Sequence, residues 1–308
     1  MSTLDSELGL GWRGAEIVDG RRLRHPNGAE IEAVHLGPST SPIFAVFHRP
    51  PKTPLGVVVI CSPPYVEAIR NHRRELLFGW LASERGLAAV RFHPRGGGHS
   101  GGDTAKLSLR TMLDDAEEVA AEAIERFQTP LTGFVGTRLG AVVAHRAANR
   151  FAGSAVAWWH PVLDAHSYMR ELFRARLIGG LKRGVTTNRD ELEARFRTDG
   201  ILDVLGVPVS RLFYDSLFAH PLDDAPSGPR EGLLVQMSHH NDLLRGYASF
   251  ISGLRDGGWS VKTMIIKEEE TWWFGARARG AELELRSLAV EMIPATVDFF
   301  LTAVGVNS

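Results

Sequence analysis

The sequence LTGFVGTRLGAVVAHRAANR, residues 131–150, decides the fold. It opens with the short apolar run Leu131 to Val135, which predicts a buried strand. Leu139 to Arg150 is rich in alanine and predicts a helix. The junction reads Gly136-Thr137-Arg138-Leu139-Gly140, and its glycines permit the strained turn that a direct strand-to-helix passage needs. The stretch therefore predicts a strand–turn–helix unit with Arg138 at the centre of the turn.

The same alternation extends on both sides of this unit. Gly56 to Cys61 and Leu87 to Phe92 are continuous apolar runs, typical of strands buried on both faces of a parallel sheet. The helices predicted around them are Asn71 to Arg85 and Leu109 to Phe127. The other predicted elements are a hairpin, Ile31 to Val34 and Ile43 to His48, the strands Ser154 to Trp159, Leu233 to Met237 and Val261 to Ile266, and the helix Met292 to Val304. This order predicts an α/β fold, a mostly parallel central sheet with helices on both faces.

The alternation stops between His160 and Arg230. The helices predicted in this stretch are Asp164 to Ile178, Asn188 to Arg197 and Ser210 to Phe218. Asn188 and Glu191 have the spacing of a capping box, and Ser210 is a candidate N-cap. We therefore predict an all-helical cap, residues 161–230, on a core formed by residues 1–160 and 231–308. The cap is expected over the carboxyl edge of the sheet, where open α/β sheets bind ligands.

Composition limits the functional classes. The 308 residues carry a formal net charge of -1, which argues against a nucleic-acid surface. The single cysteine, Cys61, excludes an internal disulfide and fits a reducing compartment. The sequence MSTLDSELGLGW at the start lacks the apolar core of a signal peptide, and no apolar run approaches the ~20 residues of a membrane helix. We predict a cytoplasmic protein without a membrane span, cofactor or metal, and leave a homodimer open.

The strand–turn–helix unit matches the context of the G-x-S-x-G elbow, whose central residue is normally a nucleophile. Here that residue is Arg138. A guanidinium has a pKa of about 12 or above and no lone pair to offer, so it cannot form an acyl-enzyme.

Other parts of the usual catalytic machinery are also altered. The loop that normally gives a backbone N–H to the oxyanion hole contains Pro63 and Pro64, which lack that donor. Asp242 matches the position of the catalytic acid. No histidine follows the last predicted strand, and none occurs after His240. At least two members of a Ser-His-Asp triad are therefore missing.

A family resemblance supports the same fold. Residues 92–102, FHPRGGGHSGG, resemble the Gly-rich loop Asp-x-x-Gly-x-Gly-x-Ser of α/β-hydrolases, although His93 stands where an acidic residue is usual. Glu67 to Arg74, Gly136 to Gly140 and Trp159 to Val162 are similar to the exosortase A system-associated hydrolases, which also carry arginine at the elbow. The resemblance covers roughly Phe44 to Met169. It implies an α/β-hydrolase fold and a link to exopolysaccharide or specialised metabolism, without establishing a reaction.

Two roles remain open for Arg138. A cation at a helix N-terminus is locally unfavourable by ~0.3–1 kcal/mol, so an anion should compensate it. That anion is either an internal partner, with Glu67 as the candidate, or the carboxylate or phosphate of a bound substrate. The two roles are compatible, because a ligand could displace the internal partner.

Other residues near the same edge have weaker signals. Cys61 and His93 could form a displaced nucleophile pair, or they could be a buried thiol and a loop-ordering histidine. His239, His240 and Asp242 lack the spacing of a metal site. The further candidate pocket residues are Tyr65, Thr137, Leu139, His160, His239, Trp272 and Trp273. The basic cap residues Arg170, Arg174, Arg176, Lys182 and Arg183 form either a solvated face or a surface that attracts an anion.

The sequence thus predicts an α/β-hydrolase scaffold without serine chemistry. In the first hypothesis it is an enzyme that acts on an anionic small acyl or carbonyl metabolite. Arg138 would anchor the anion, and Glu67, His93, Asp242 or Cys61 would supply acid–base or nucleophilic groups. In the second, the protein is a pseudo-hydrolase that binds a ligand or a partner. An ordinary serine esterase is disfavoured by the elbow.

Overall fold

The computed structural model describes residues 15–181, 184, 187–219, 230–267 and 291–306. The strands are β1 (Glu16–Asp19), β2 (Arg22–Arg24), β3 (Glu30–Leu36), β4 (Ile43–Arg49), β5 (Val57–Cys61), β6 (Ala88–Phe92), β7 (Leu131–Thr137), β8 (Ala155–Trp159), β9 (Ile201–Val204), β10 (Val207–Ser210), β11 (Glu231–Met237) and β12 (Ser260–Ile266). The helices are α1 (Tyr65–Glu84), α2 (Leu109–Phe127), α3 (Gly140–Ala147), α4 (Ala165–Leu181), α5 (Arg189–Asp199), α6 (Arg211–Phe218), α7 (Arg245–Asp256) and α8 (Met292–Ala303).

In the part of the chain that the structure describes, ten strands form one sheet in the order β1-β2-β3-β4-β6-β5-β7-β8-β11-β12. The strands from β1 to β6 in this order pair antiparallel, and those from β6 to β12 pair parallel. The predicted mostly parallel sheet is therefore confirmed. Because the parallel strands share one direction, the residues that follow β5, β6, β7, β8 and β11 meet at the same edge.

Helices cover both faces of the sheet. One core cluster packs α2 and α3 against the apolar side chains of one face, including Val59, Val90 and Phe134. A second cluster packs α1 and α8 against the other face, including Ile60 and Val135. All five residues of β5 and of β8 are buried, which explains why these strands have continuous apolar runs.

The segment between β8 and β11 corrects one prediction. It contains α4, α5 and α6, but also a separate two-stranded antiparallel sheet, β9 with β10. The segment is therefore not all-helical. Buried Leu202 and Val204 alternate with exposed Ile201 and Asp203. This two-residue period is typical of a strand and does not fit the period of a helix. The turn at Leu205 and Gly206 has positive φ angles, 55° and 92°, which suit a tight hairpin.

The capping predictions in this segment agree with the structure. Asn188 accepts a hydrogen bond from the backbone N–H of Glu191 at the start of α5, and the reciprocal bond completes the capping box. Ser210 accepts one from Phe213 at the start of α6. Within the described residues, no helix has the length and apolar character that crossing a bilayer requires.

Candidate functional site

Arg138 occupies a strained turn at the carboxyl edge, between β7 and α3. Its φ angle is +53°, in the left-handed region that disfavours residues with a Cβ. The neighbouring strand fixes this conformation, since the Arg138 N–H donates to the carbonyl of Trp159 at 3.0 Å. Gly140 allows the close packing, because a Cβ there would lie 2.1 Å from the carbonyl oxygen of Cys61. The surrounding backbone therefore holds a conformation that costs about 1–3 kcal/mol.

The Arg138 side chain is buried and forms ion pairs with two carboxylates. It is 4% exposed, its Nε lies 3.3 Å from Oε1 of Glu67, and its Nη2 contacts Glu171 of α4. The Tyr168 hydroxyl donates to Oε2 of Glu67 at 3.1 Å. The expected ion pair with Glu67 is therefore present, and a second partner, Glu171, comes from the inserted segment.

Electrostatics keep this guanidinium charged. Burial acts to lower the pKa of Arg138, but Glu67 and then Glu171 oppose it, and the pKa lies above its ordinary value. Burial raises the pKa of Glu67, while Arg138 pulls it down and Glu171 pushes it up. One cation thus faces two carboxylates, and a further anion can join only if it replaces one of them.

A second buried polar network lies beside the elbow. Glu75 of α1 accepts a hydrogen bond from the Ser62 hydroxyl at 2.7 Å and from the Asn71 amide at 2.6 Å. The same amide nitrogen lies 3.0 Å from the hydroxyl oxygen of Thr137. Burial raises the pKa of Glu75 despite its bonds to Ser62 and Asn71. Thr137, predicted to bind substrate, has its hydroxyl engaged in this network.

The sequence did not single out Glu75 or Asn71. The helix that carries them was predicted from its apolar positions alone. Glu75 is 3% exposed and Asn71 is 0% exposed. The signal that could have found them is an acidic residue directly before Leu76 and Leu77, on a helix expected to cover the sheet.

Of the two alternatives for Cys61 and His93, the structure favours a buried thiol and a loop-ordering histidine over a nucleophile pair. β5 and β6 are neighbours, as expected, but no hydrogen bond joins the two side chains within the described residues. Cys61 is 1% exposed, and burial raises the pKa of its thiol far above the ordinary value, with Glu75 adding to the effect. A thiol held in its neutral form is a poor nucleophile.

His93 is instead a neutral hydrogen-bond donor. Its Nδ1 accepts the backbone N–H of His99 at 3.0 Å, so the ring proton must sit on Nε2. Burial lowers the pKa of His93 to about 4, with His99, Arg91 and His72 contributing. Within the described residues Nε2 has no hydrogen-bond partner, and it is free to meet a ligand.

His93 lines a cavity of about 410 Å³ at the carboxyl ends of β5 and β6. The wall is mainly apolar, from Pro63, Pro64 and Leu107 among others. Tyr65 also lines it, and its hydroxyl is buried without a hydrogen-bond partner in the described part of the chain. We call this space the edge cavity; Arg138 is not part of its wall.

The remaining predicted site residues lie apart from the edge cavity. His160 is buried, and its Nδ1 accepts the backbone N–H of Met237 at 3.1 Å. Burial lowers the pKa of His160 to about 3, with Arg138 contributing, so it serves as a structural link between β8 and β11.

Leu139 lines a separate cavity of about 210 Å³ beside α4. His239 and Asp242 are exposed after β11, and no group of three metal-ligating side chains occurs among the described residues. Trp272 and Trp273 lie outside the described residues.

Comparisons with known proteins address the fold. No protein-family model matches the chain, and the comparison with curated protein sequences gave no significant match. Among solved structures it resembles Est1E from Butyrivibrio proteoclasticus with bound ferulic acid, at 14% identity and a TM-score of 0.58 over 89% of this chain and 100% of that one. It also resembles an S-formylglutathione hydrolase from Agrobacterium tumefaciens, at 14% identity and a TM-score of 0.53 over 92% and 98%.

A third similar structure is the thioesterase domain from the curacin biosynthetic pathway, at 12% identity and a TM-score of 0.53 over 88% of this chain and 99% of that domain. At such identities the likeness concerns the fold alone. Together with the sheet order and the strained turn at Arg138, these structures show that the chain has the α/β-hydrolase fold.

Proposed function

We propose that this protein binds a small acyl or carbonyl compound in the edge cavity and forms no acyl-enzyme. The edge cavity carries the proposal, because it combines apolar walls with two polar groups that have no partner among the described residues, Nε2 of His93 and the hydroxyl of Tyr65. Such a combination is typical of small-molecule sites. Both groups can donate to a carbonyl oxygen, which would orient the ligand.

The proposal also includes an anionic ligand, whose charged end would extend beyond the edge cavity to Arg138, a residue outside its wall. Glu171 is the displaceable partner of Arg138, since its side chain is 35% exposed while that of Glu67 is 2% exposed. A ligand carboxylate that replaces Glu171 exchanges one charge for another and can bind the guanidinium through both of its oxygens. In this proposal the inserted segment acts as a cap that opens at Glu171.

Binding without turnover is the activity that the site supports best. Arg138, Cys61 and His160 cannot serve as nucleophile or base for the reasons given above. The second candidate is a non-serine enzyme, and His93 favours it, because a neutral donor beside a bound carbonyl can polarise it. The resemblance of the sequence to exosortase A system-associated hydrolases supports a role in exopolysaccharide or specialised metabolism as part of this proposal.

Ferulate and methyl ferulate test the proposal, since Est1E is known with ferulic acid bound. Calorimetric titration should show saturable binding of ferulate, and the Tyr65→Phe and His93→Ala variants should weaken it severalfold. His239→Ala is the matched control, because His239 is exposed, and it should bind as the original protein does. Failure of both compounds to bind, or equal affinity in all variants, contradicts the proposal. Fast release of methanol from methyl ferulate would instead establish a hydrolase.

A further inference from the structure

A cavity of about 300 Å³ lies inside the inserted segment, between α4, α5 and α6. Each of these helices contributes arginine to its wall: Arg170 from α4, Arg189 and Arg197 from α5, and Arg211 from α6. Among the described residues of the wall, one is acidic, Glu193. Four cations from three helices therefore converge on one small space, which we call the arginine cavity.

Internal ion pairs balance this charge only in part. Arg189 donates to Glu193 at 2.6 Å and Arg211 to Asp215 at 2.9 Å. Arg170 lies 3.8 Å from Asp164, a weak pairing. Arg197 makes no ion pair with any described residue. The paired side chains are about half exposed, so small rotations can turn their guanidinium groups toward a ligand.

Aromatic rings lie beside the cations. Phe173 and Phe196 pack edge-to-face with centroids 5.9 Å apart, and Phe196 and Tyr214 do so at 5.6 Å. All three rings line the arginine cavity. The guanidinium carbon of Arg211 already lies 5.5 Å from the centroid of the Tyr214 ring. The cavity thus offers ring faces and edges next to positive charge.

We propose that the arginine cavity binds a small phosphorylated aromatic compound. A phosphate has enough charge and acceptor oxygens to engage guanidinium groups from several helices at once, in the forked geometry that arginine prefers. The attached ring then packs against Phe173, Phe196 and Tyr214. None of these residues lines the edge cavity, so the site is separate from the one in the proposed function.

Phenyl phosphate is the probe, titrated by calorimetry at low ionic strength. The original protein should bind it saturably, and the double variant Arg170→Gln/Arg197→Gln should bind it at least tenfold more weakly. Arg110→Gln is the matched control, because Arg110 is an exposed arginine paired with Asp114 on α2, and it should leave the affinity unchanged. His93→Ala should also leave it unchanged, which separates this test from that of the edge cavity.

Inorganic phosphate and phenol test the contributions of the phosphate group and of the aromatic ring separately. Both should bind more weakly than phenyl phosphate, and Tyr214→Leu should weaken phenyl phosphate but not inorganic phosphate. The circular dichroism spectrum checks that each variant is folded. Absence of saturable binding, equal affinity of the double variant, or equal affinity for inorganic phosphate would overturn the proposal.

Discussion

A buried guanidinium at the elbow requires an anion, and Arg138 has two. Taking a charge out of water costs several kcal/mol, and only close opposite charges and hydrogen bonds recover that cost. Glu67 is almost fully buried beside it, so the two residues depend on each other. Removing one member leaves an uncompensated charge in the interior, which is more damaging than removing both.

Arg138→Met should therefore lower the free energy of unfolding by roughly 3–5 kcal/mol, as measured by urea denaturation. The double variant Arg138→Met/Glu67→Gln should lose much less, because the glutamine is neutral and can still accept from Tyr168. If the single and double variants were equally unstable, the buried ion pair would not be the source of the effect.

Arg138→Ser should not produce an efficient esterase. The new hydroxyl would need a base, and His160, the histidine nearest in sequence at this edge, has its Nδ1 engaged and a pKa lowered to about 3 by burial. Pro63 and Pro64 also supply no N–H, and one missing oxyanion donor costs roughly 2.7–4 kcal/mol of barrier. The check is hydrolysis of p-nitrophenyl acetate together with labelling by a fluorophosphonate. Turnover far above background with an adduct at residue 138 would contradict this account.

At the scale of secondary structure, the packing of β4 against α1 makes stability depend on pH. His48 of β4 is fully buried against Gly79, and neither ring nitrogen has a hydrogen-bond partner among the described residues. Burial lowers the pKa of His48 to about 3, with Arg91 adding to the effect, from an ordinary value of 6.5. The neutral ring stabilises the fold above pH 6.5, and this contribution is lost as the pH falls toward 3.

His48→Leu should therefore gain stability relative to the original protein as the solution is acidified. Between pH 8 and pH 5 the difference in unfolding free energy should grow by about 2 kcal/mol, since 1.5 pKa units separate pH 5 from the ordinary value. His239→Leu, a change at an exposed histidine, is the control and should give a difference that hardly varies with pH. Urea denaturation at the two pH values measures this difference in unfolding free energy. If the difference for His48→Leu were the same at both pH values, the prediction would be wrong.

Local patterns predict most of these elements, and non-local contacts explain what they miss. Leu109–Phe127 was predicted with the bounds that the structure shows, and the structure adds that Ser108 caps its start, a feature that is also local in sequence. α1 begins six residues before the predicted start, directly after Pro64. The strands β1 and β2 and the helix α7 were not predicted. β1 and β2 have little buried surface, whereas α7 carries Tyr247, Ile251 and Leu254 at helical spacing, a local signal that the sequence analysis missed.

The candidate site was likewise predicted only where a local sequence pattern marks its residues. Arg138 was found because a local motif fixes its position, and Glu67 was proposed as its partner from the stretch before the predicted helix Asn71 to Arg85. Glu171 carries no local signal, since it lies 33 residues after Arg138 in a helix whose charged face looks solvated in sequence. Only the three-dimensional packing of α4 over the elbow brings it there.

At the scale of the whole molecule, the inserted segment shares a hydrophobic core cluster with the sheet, and polar and aromatic contacts add to this packing. Tyr168 and Glu171 of α4 engage Glu67 and Arg138, and Phe213 of α6 meets the Tyr65 ring edge-to-face at 4.9 Å. The Ser216 hydroxyl accepts the backbone N–H of Leu109 at 2.9 Å. Among these contacts, that of Glu171 combines charge with partial exposure, and the proposed opening of the segment at this residue rests on that combination.

Glu171→Gln should loosen this connection without unfolding the core. Glutamine keeps the size of the side chain but loses the charge, so α4 is held less tightly to Arg138 while Glu67 still neutralises the guanidinium. Hydrogen exchange followed by mass spectrometry should then be faster in α4, with unchanged protection in β5 and β7. Because the competing carboxylate is gone, ferulate should also bind several times more tightly. Glu193→Gln, which removes an ion pair inside the inserted segment, is the matched control and should change neither quantity. Unchanged exchange in α4 together with unchanged ferulate affinity would show that Glu171 is not the residue at which the segment opens.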